Sequence, residues 1–165
     1  MIYRFCSLCS AELAENKEGN LGCTRCSFVN YRNPRPTATA LVLHNNKLLL
    51  TKRAREPFKN WWDLPGGFLH RNETPDVGAL RELKEETGLD IKIIKQFGIY
   101  TGTYPSDTEP FDIISIVYVA ESPTANLGAY DDVCESRWFS KQEIPSEIAF
   151  DSNQTIIKNF LKVWN

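Results

Sequence analysis

No stretch of this 165-residue chain approaches the ~20 consecutive apolar residues that a membrane-spanning helix needs, and the amino-terminal MIYRFCSLCS has no apolar run of a signal peptide. The expectation is a soluble, cytoplasmic chain with no membrane partner. Charge of one sign is lacking too. A formal net charge of −2 implies neither wholesale nucleic-acid binding nor attachment to a membrane surface, and leaves a local basic patch open. The sequence shows no internal repeat and no low-complexity segment. Its length suffices for one ordinary domain with a real core, plus a small module.

The five cysteines suit metal ligation better than disulfides in that compartment. Cys6, Cys9, Cys23 and Cys26 form two CxxC pairs separated by thirteen residues. Each CxxC turn aims two thiolates at one ion, and two such turns complete a tetrahedral Zn²⁺ site. Residues 1–31 have little apolar periodicity, so zinc is expected to supply much of their folding free energy, and Gly19, Asn20 and Gly22 suggest a hairpin turn between the pairs. Residues 1–32 therefore read as a zinc ribbon and 33–165 as the main domain. The ribbon's role is open between structural support, a homodimer contact and a nucleic-acid contact. Arg25, Arg32 and Arg35 allow the last, whereas Glu12, Glu15 and Glu18 oppose it and favour the first two. Cys134 reads as a buried or idle thiol.

The most informative stretch is GFLHRNETPDVGALRELKEETGL, residues 67–89. Pro65, Gly66 and Gly67 mark a tight loop; Pro75 suits a first helical residue after Asn72, Glu73 and Thr74, and Gly88 suits the position past a helix end. That predicts a helix of about thirteen residues. At about 100° per residue, Ala79, Leu80, Leu83 and Thr87 face a core while Glu82, Glu85 and Glu86 gather elsewhere. Like charges at i,i+4, in the last turn where the helix dipole is negative, call for a bound cation. Arg81 reaches Glu85 at i+4 but cannot neutralise three acids, whereas a hard divalent ion such as Mg²⁺, or Mn²⁺, would.

Elsewhere, Asn33-Pro34-Arg35-Pro36 reads as an extended connector. TATALVLH and KLLLTKRA form a hairpin about Asn45-Asn46, Leu89 to Tyr104 and FDIISIVYVA read as strands, and ESRWFS as a short one. The last segment is a helix capped by Asp151 or Ser152, with Ile156, Ile157, Phe160, Leu161 and Trp164 as a stripe for core or dimer contact. The fold class is α/β (α+β), a mixed sheet with one helix after its first strands and one at the end. His44 and His70 read as surface turn residues, His70 within reach of a bound phosphate.

Gly67, Glu73 and the run Arg81-Glu82-Leu83-Lys84-Glu85-Glu86-Thr87-Gly88-Leu89 fill every fixed position of a 23-residue pattern, and the stretch resembles the box of the Nudix hydrolases. The resemblance covers about residues 37–164 in layout and implies that family's α/β/α sandwich. It implies hydrolysis of a nucleoside diphosphate linked to another group, by attack of water on phosphorus. Carried over to this chain, Glu82, Glu85, Glu86 and a carbonyl of the Gly66-Gly67 loop resemble the metal ligands. Arg81 would orient a carboxylate and Glu73 would fix the loop against the helix. Glu135 looks like the later acid that serves as general base, with Glu109, Asp131 and Asp132 as competitors. Tyr100, Tyr104 and Phe111 are open between stacking on a base and packing on the sheet. A ribbon ahead of the box, with NYRNPRP, is similar to the bacterial NADH pyrophosphatase arrangement, but that group's SQPWW array is absent. The substrate stays open among ADP-ribose, NAD(H), FAD, a nucleoside triphosphate and a capped RNA end. The rival reading is a Nudix-like sensor of ADP-ribose or RNA that performs no chemistry.

Overall fold

The computed structural model describes residues 3–106 and 108–164. Asp107, and the outermost residues of the two expected domains (1, 2 and 165), lie outside the described residues. Near the amino terminus, β1 (Leu13–Glu15), β2 (Leu21–Cys23) and β3 (Val29–Asn30) form a small antiparallel sheet. Gly22 lies within β2, and the turn before that strand is built on Asn16, whose side chain accepts from the backbone of Glu18 and Asn20.

The main sheet contains β4 (Arg35–His44), β5 (Lys47–Arg53), β6 (Trp62–Asp63), β7 (Gly66–Phe68), β8 (Lys92–Tyr104), β9 (Phe111–Glu121) and β10 (Val133–Phe139). Its order is β10-β5-β4-β9-β8, with β4 and β9 parallel and the other neighbours antiparallel. Asn45 and Asn46 both take positive φ, which suits the tight turn joining β4 to β5. Among the described residues β8 is paired on one side only, to β9, and its register shifts twice, between Ile93 and Lys95 and between Gln96 and Gly98.

Two helices, α1 (Pro75–Thr87) and α2 (Asp151–Leu161), cover opposite faces of this sheet. The pleat assigns the contacts, since successive side chains alternate between faces. Leu41, Leu48, Leu50, Val117 and Val119 meet Ile156, Ile157, Phe160 and Trp164 from the α2 side. Ala40, Val42, Leu49 and Ala120 meet Leu83 of α1. The stripe expected on the last helix is therefore core, with Leu161 at its margin. That helix begins at Asp151, earlier than expected with Asp151 or Ser152 as its cap, and its cap position is Phe150, at φ +60° and without a side-chain cap.

One irregularity makes room for a site. β4 and β5 pair only beside their turn, at Leu43↔Leu48 and His44↔Lys47, and then part. β7 takes up the pairing with β4 at Thr37 to Thr39, and β6 takes up β5 at Thr51 and Lys52. The Leu64-Pro65 segment thus bridges a gap in the sheet, through which groups from the two helix layers can meet.

Candidate active site

That gap holds a cavity of about 290 Å³. Gly66, Gly67, Glu82 and Glu86 line it from the α1 side, and Ser152 and Asn153 from the start of α2; Asp131, Asp132 and His70 close its mouth. Gly66 has φ +143°, and a Cβ there would overlap the Ala38 carbonyl and the Thr39 Cα, while one on Gly67 would strike the Glu82 carboxylate. Only glycine lets this loop pass between β4 and the acids.

Helix α1 spans thirteen residues from Pro75 and ends at Gly88 in the left-handed conformation, as the spacing predicted. Its buried face is turned slightly from the expected one. Gly78, Ala79, Leu83, Glu86 and Thr87 are buried, whereas Leu80 is 39 % exposed. The rotation moves Glu86 into the wall of the cavity and Leu80 toward solvent.

Arg81 organises the other acids. Its Nε and Nη2 donate to Glu73 at 2.8 and 2.9 Å, its Nη1 donates to Glu82 at 2.8 Å and Glu85 at 2.9 Å, and Nη2 also reaches the Phe68 carbonyl. This grip holds the Glu73 carboxyl down at about 2, helped by the backbone N–H of His70, which Glu73 also accepts. Glu82 is pushed up by burial despite Arg81. Glu86 goes furthest: 6 % exposed, it is raised well above the ordinary carboxylate range by burial and then by the charges of Asp132, Asp63 and Glu82. Among the described residues its carboxyl makes no ion pair and accepts one hydrogen bond, from the Gly66 N–H at 3.3 Å.

An all-oxygen donor set around a buried, uncompensated carboxyl fits a hard divalent cation. The Glu82, Glu85 and Glu86 oxygens are not drawn together as a closed cluster; Arg81 holds the first two, and Glu85 is half exposed. This donor set is compatible with the divalent ion expected from the sequence.

Later acids come to the site through backbone hydrogen bonds. The Gly128 N–H donates to the Thr87 carbonyl and the Tyr130 N–H to the Glu86 carbonyl, each at 2.9 Å, and the Asp132 carbonyl accepts from Ala54. These contacts set Asp131 and Asp132 over the acidic end of α1. Glu135 is placed differently: on β10, beside Lys52 at 3.5 Å and outside the cavity lining, because the register shift at Val133–Glu135 follows the turn. Glu109 instead pairs with Arg32 at 2.9 Å. Cys134 is exposed, with its thiol toward the Lys52 carbonyl.

Several residues in the cavity carried no signal in the sequence. The Asp63 carboxylate accepts from Arg53 at 3.1 Å, from the Leu64 N–H and from Asn153 of α2, and burial still raises it to about 6. Arg53 also donates to the Pro57 carbonyl and lies over the Phe150 ring at 4.9 Å. Thr37, bonded to Ser115 at 2.6 Å, and Thr39 floor the cavity. The contacts are distant in sequence, and no local spacing announces them. Of the three expected aromatics, Tyr104 lines this cavity and stacks on Phe111 at 5.2 Å and on Phe150 at 5.4 Å. Tyr100 stacks on Phe97 beside the α2 core, so its position is one of packing.

In the amino-terminal unit the four sulfurs of Cys6, Cys9, Cys23 and Cys26 lie within 4.8 Å of one another. The Cys9–Cys23 and Cys6–Cys26 separations are 3.5 and 3.6 Å, far beyond a disulfide bond and close to the roughly 3.8 Å edge of a tetrahedron with Zn–S bonds of about 2.3 Å. The cluster could hold zinc. The backbone N–H of Ala11 leads in lowering Cys9 to about 6, and that of Arg25 leads in lowering Cys23, whereas Cys26, despite the Phe28 N–H, is pushed up to about 12 by burial and the neighbouring thiols.

Residues 33–160 match the family model described as NUDIX domain. An ADP-ribose pyrophosphatase of Methanocaldococcus jannaschii is 36 % identical over 80 % of this chain and 76 % of its own length. The NAD-capped RNA hydrolase NudC of Vibrio parahaemolyticus is 26 % identical over 86 % of this chain, which spans only 53 % of that relative. The crystal structure of a NUDIX hydrolase from Nitrosomonas europaea superposes with a TM-score of 0.78 and 29 % identity, over 96 % of this chain and 90 % of the other.

Proposed function

The chain belongs to the Nudix family of hydrolases, and from that premise we propose that it cuts the diphosphate of a nucleoside diphosphate linked to a further group, with ADP-ribose as the leading substrate. The buried Glu86 carboxyl carries this reading. A charge-bearing group surrounded by Glu82, Asp63 and Asp132 costs stability unless a cation is brought to it, and a diphosphate with its metal ion would bring one.

Glu82, Glu85, Glu86 and the Gly66 carbonyl would hold that ion, Mg²⁺ or Mn²⁺. Bound there, it would offset the diphosphate charge and activate water. The protein's own share is positional. Arg81 keeps Glu82 and Glu85 aligned, and Glu73 anchors Arg81. Arg53, fixed by Asp63, offers the cavity a guanidinium for the substrate's anionic half. Of the later acids, Asp131 and Asp132 line the cavity and Glu135 does not, which supports Asp132 as the base that would take a proton from the attacking water. The names of the relatives, one acting on ADP-ribose and one on NAD-capped RNA, support a nucleoside diphosphate substrate.

The test is release of products from ADP-ribose, NADH, FAD and nucleoside triphosphates with Mg²⁺, beside Glu85→Gln, Asp132→Asn and Glu135→Gln. ADP-ribose turnover that falls roughly 100-fold or more in Glu85→Gln and Asp132→Asn, and little in Glu135→Gln, is expected. Ligand binding without turnover of any compound would make the protein a sensor instead.

A further inference from the structure

A second cavity, of about 480 Å³, lies between the cysteine-bearing unit and the β8–β9 hairpin. Its walls include Tyr31 and Arg32 from the end of that unit, Asn33 from the connector and Phe111 from β9. The two cavities lie end to end on the same face of β4 and β9. Side chains two apart on a strand share a face. Arg35 lines the second cavity while Thr37 and Thr39 line the first, and on the neighbouring strand Phe111 lines the second while Ile113 and Ser115 line the first. β4 and β9 run parallel in register here, Arg35 against Ile113 and Thr37 against Ser115, so the floor is continuous. From Thr39 beside the Gly66 loop to Arg35 is four residues, roughly 13 Å of strand, comparable with the span of a nucleotide from phosphate to base. Phe68, Tyr104 and Phe111, in mutual ring contact at 5.2 to 6.0 Å, form the waist between the two lengths.

The chemistry of the outer length is not that of an anion trap. Arg32 and Arg35 are balanced by Glu109 and Asp112 on the same walls, and Arg32 is already engaged by Glu109 at 2.9 Å. What it offers is flat surface and hydrogen-bonding edges. The Arg35 guanidinium lies 3.8 Å from the Phe111 ring centroid, making a layered platform; Tyr31 is 64 % exposed on the same cavity, and Asn30 and Asn33 present amides. Planar heteroaromatic rings stack on aromatic and guanidinium faces alike.

We propose that this outer cavity is the nucleobase site of the substrate, with Tyr31 and the Arg35–Phe111 pair as stacking surfaces, so that the amino-terminal unit completes the substrate site. This deepens the diphosphatase reading and rests on it for the kind of substrate. The diphosphate lies at the carboxylates and the base is read by Tyr31 and Arg35, which precede the catalytic box by more than thirty positions, together with Phe111, which follows it.

The test separates the two. Binding of AMP and of ribose 5-phosphate to the full chain is measured by titration calorimetry without divalent cation, for wild type, Tyr31→Ala and Arg35→Ala. Both side chains are exposed, and retained zinc content checks that the unit stays folded. AMP affinity should fall roughly 10- to 100-fold in each variant, with ribose 5-phosphate unaffected. Wild type that does not bind AMP, variants that bind it like wild type, or an equal loss for ribose 5-phosphate would each overturn the proposal. Turnover of ADP-ribose with Mg²⁺ is scored separately: turnover with an unchanged KM in both variants sinks the base site and leaves the hydrolase, whereas AMP binding lost in the variants with no turnover in wild type sinks the hydrolase and leaves the base site.

Discussion

A glutamate 6 % exposed among three other acids gains nothing for folding from its charge. Glu86→Gln keeps the shape and an acceptor for the Gly66 N–H while removing the repulsion. The expected result is a higher unfolding midpoint without added Mg²⁺, together with a loss of Mg²⁺-dependent turnover of roughly 100-fold or more. A variant less stable than wild type would show that Glu86 is held by something other than its acidic surroundings. Gly66 is the opposite case, a residue whose missing side chain is the requirement. Gly66→Ala should lose about 3 kcal/mol or more in denaturant unfolding, since the added carbon meets main-chain atoms that cannot turn aside and φ +143° suits no other residue.

At the scale of elements, α2 is tied to the site by Asn153, which donates to Asp63 beneath Arg53. Asp63 is held at about 6, above its unfolded value near 4. Between those values the folded protein keeps a proton that the unfolded chain has released, so this group's contribution is fullest below pH 4 and is lost as pH rises to about 6. The loss is on the order of 3 kcal/mol at 1.36 kcal/mol per unit. Denaturation of wild type and Asp63→Asn at pH 4 and pH 7 should show the difference moving toward the variant by that order as pH rises; a difference independent of pH would mean that Asp63 does not titrate in this window. Nothing near Asp63 in the sequence announces this link, because Arg53 and Asn153 lie ten and ninety positions away. By contrast α1 was legible from end to end, since Pro75 and Gly88 act through local backbone geometry. The face it buries was legible only in part: Leu80 and Glu86 exchanged their expected environments because the parting of β4 from β5 leaves space beneath Glu86, and a parting of strands has no signature in residue spacing. The same limit explains Glu135 and Asp132. Three positions in sequence separate them, yet Asp132 in the preceding turn lines the cavity while Glu135 on β10 sits beside Lys52.

For the whole molecule, the amino-terminal unit has few buried apolar residues of its own, Cys6 and Leu21 among them, and is docked to the hairpin through Arg32 and Glu109. Metal analysis is expected to find about one zinc per chain, and Cys6→Ser with Cys9→Ser should lose it, leaving α1, α2 and the main sheet folded by their own core. Mg²⁺-dependent turnover should then persist with a raised KM and a kcat within a few-fold of wild type, because the carboxylates stand on a separate scaffold. Collapse of kcat would mean that the two units fold as one. No described helix is long and apolar enough to cross a membrane. The single-sided pairing of β8 has a consequence for how copies of the protein meet. A thirteen-residue strand with one row of peptide groups free would ordinarily recruit strands from other molecules. The two register shifts break that row into short lengths, and Lys92 and Lys95 put charge beside the breaks. Self-templated growth is thereby discouraged along this long border, so concentrated solutions should resist fibre formation.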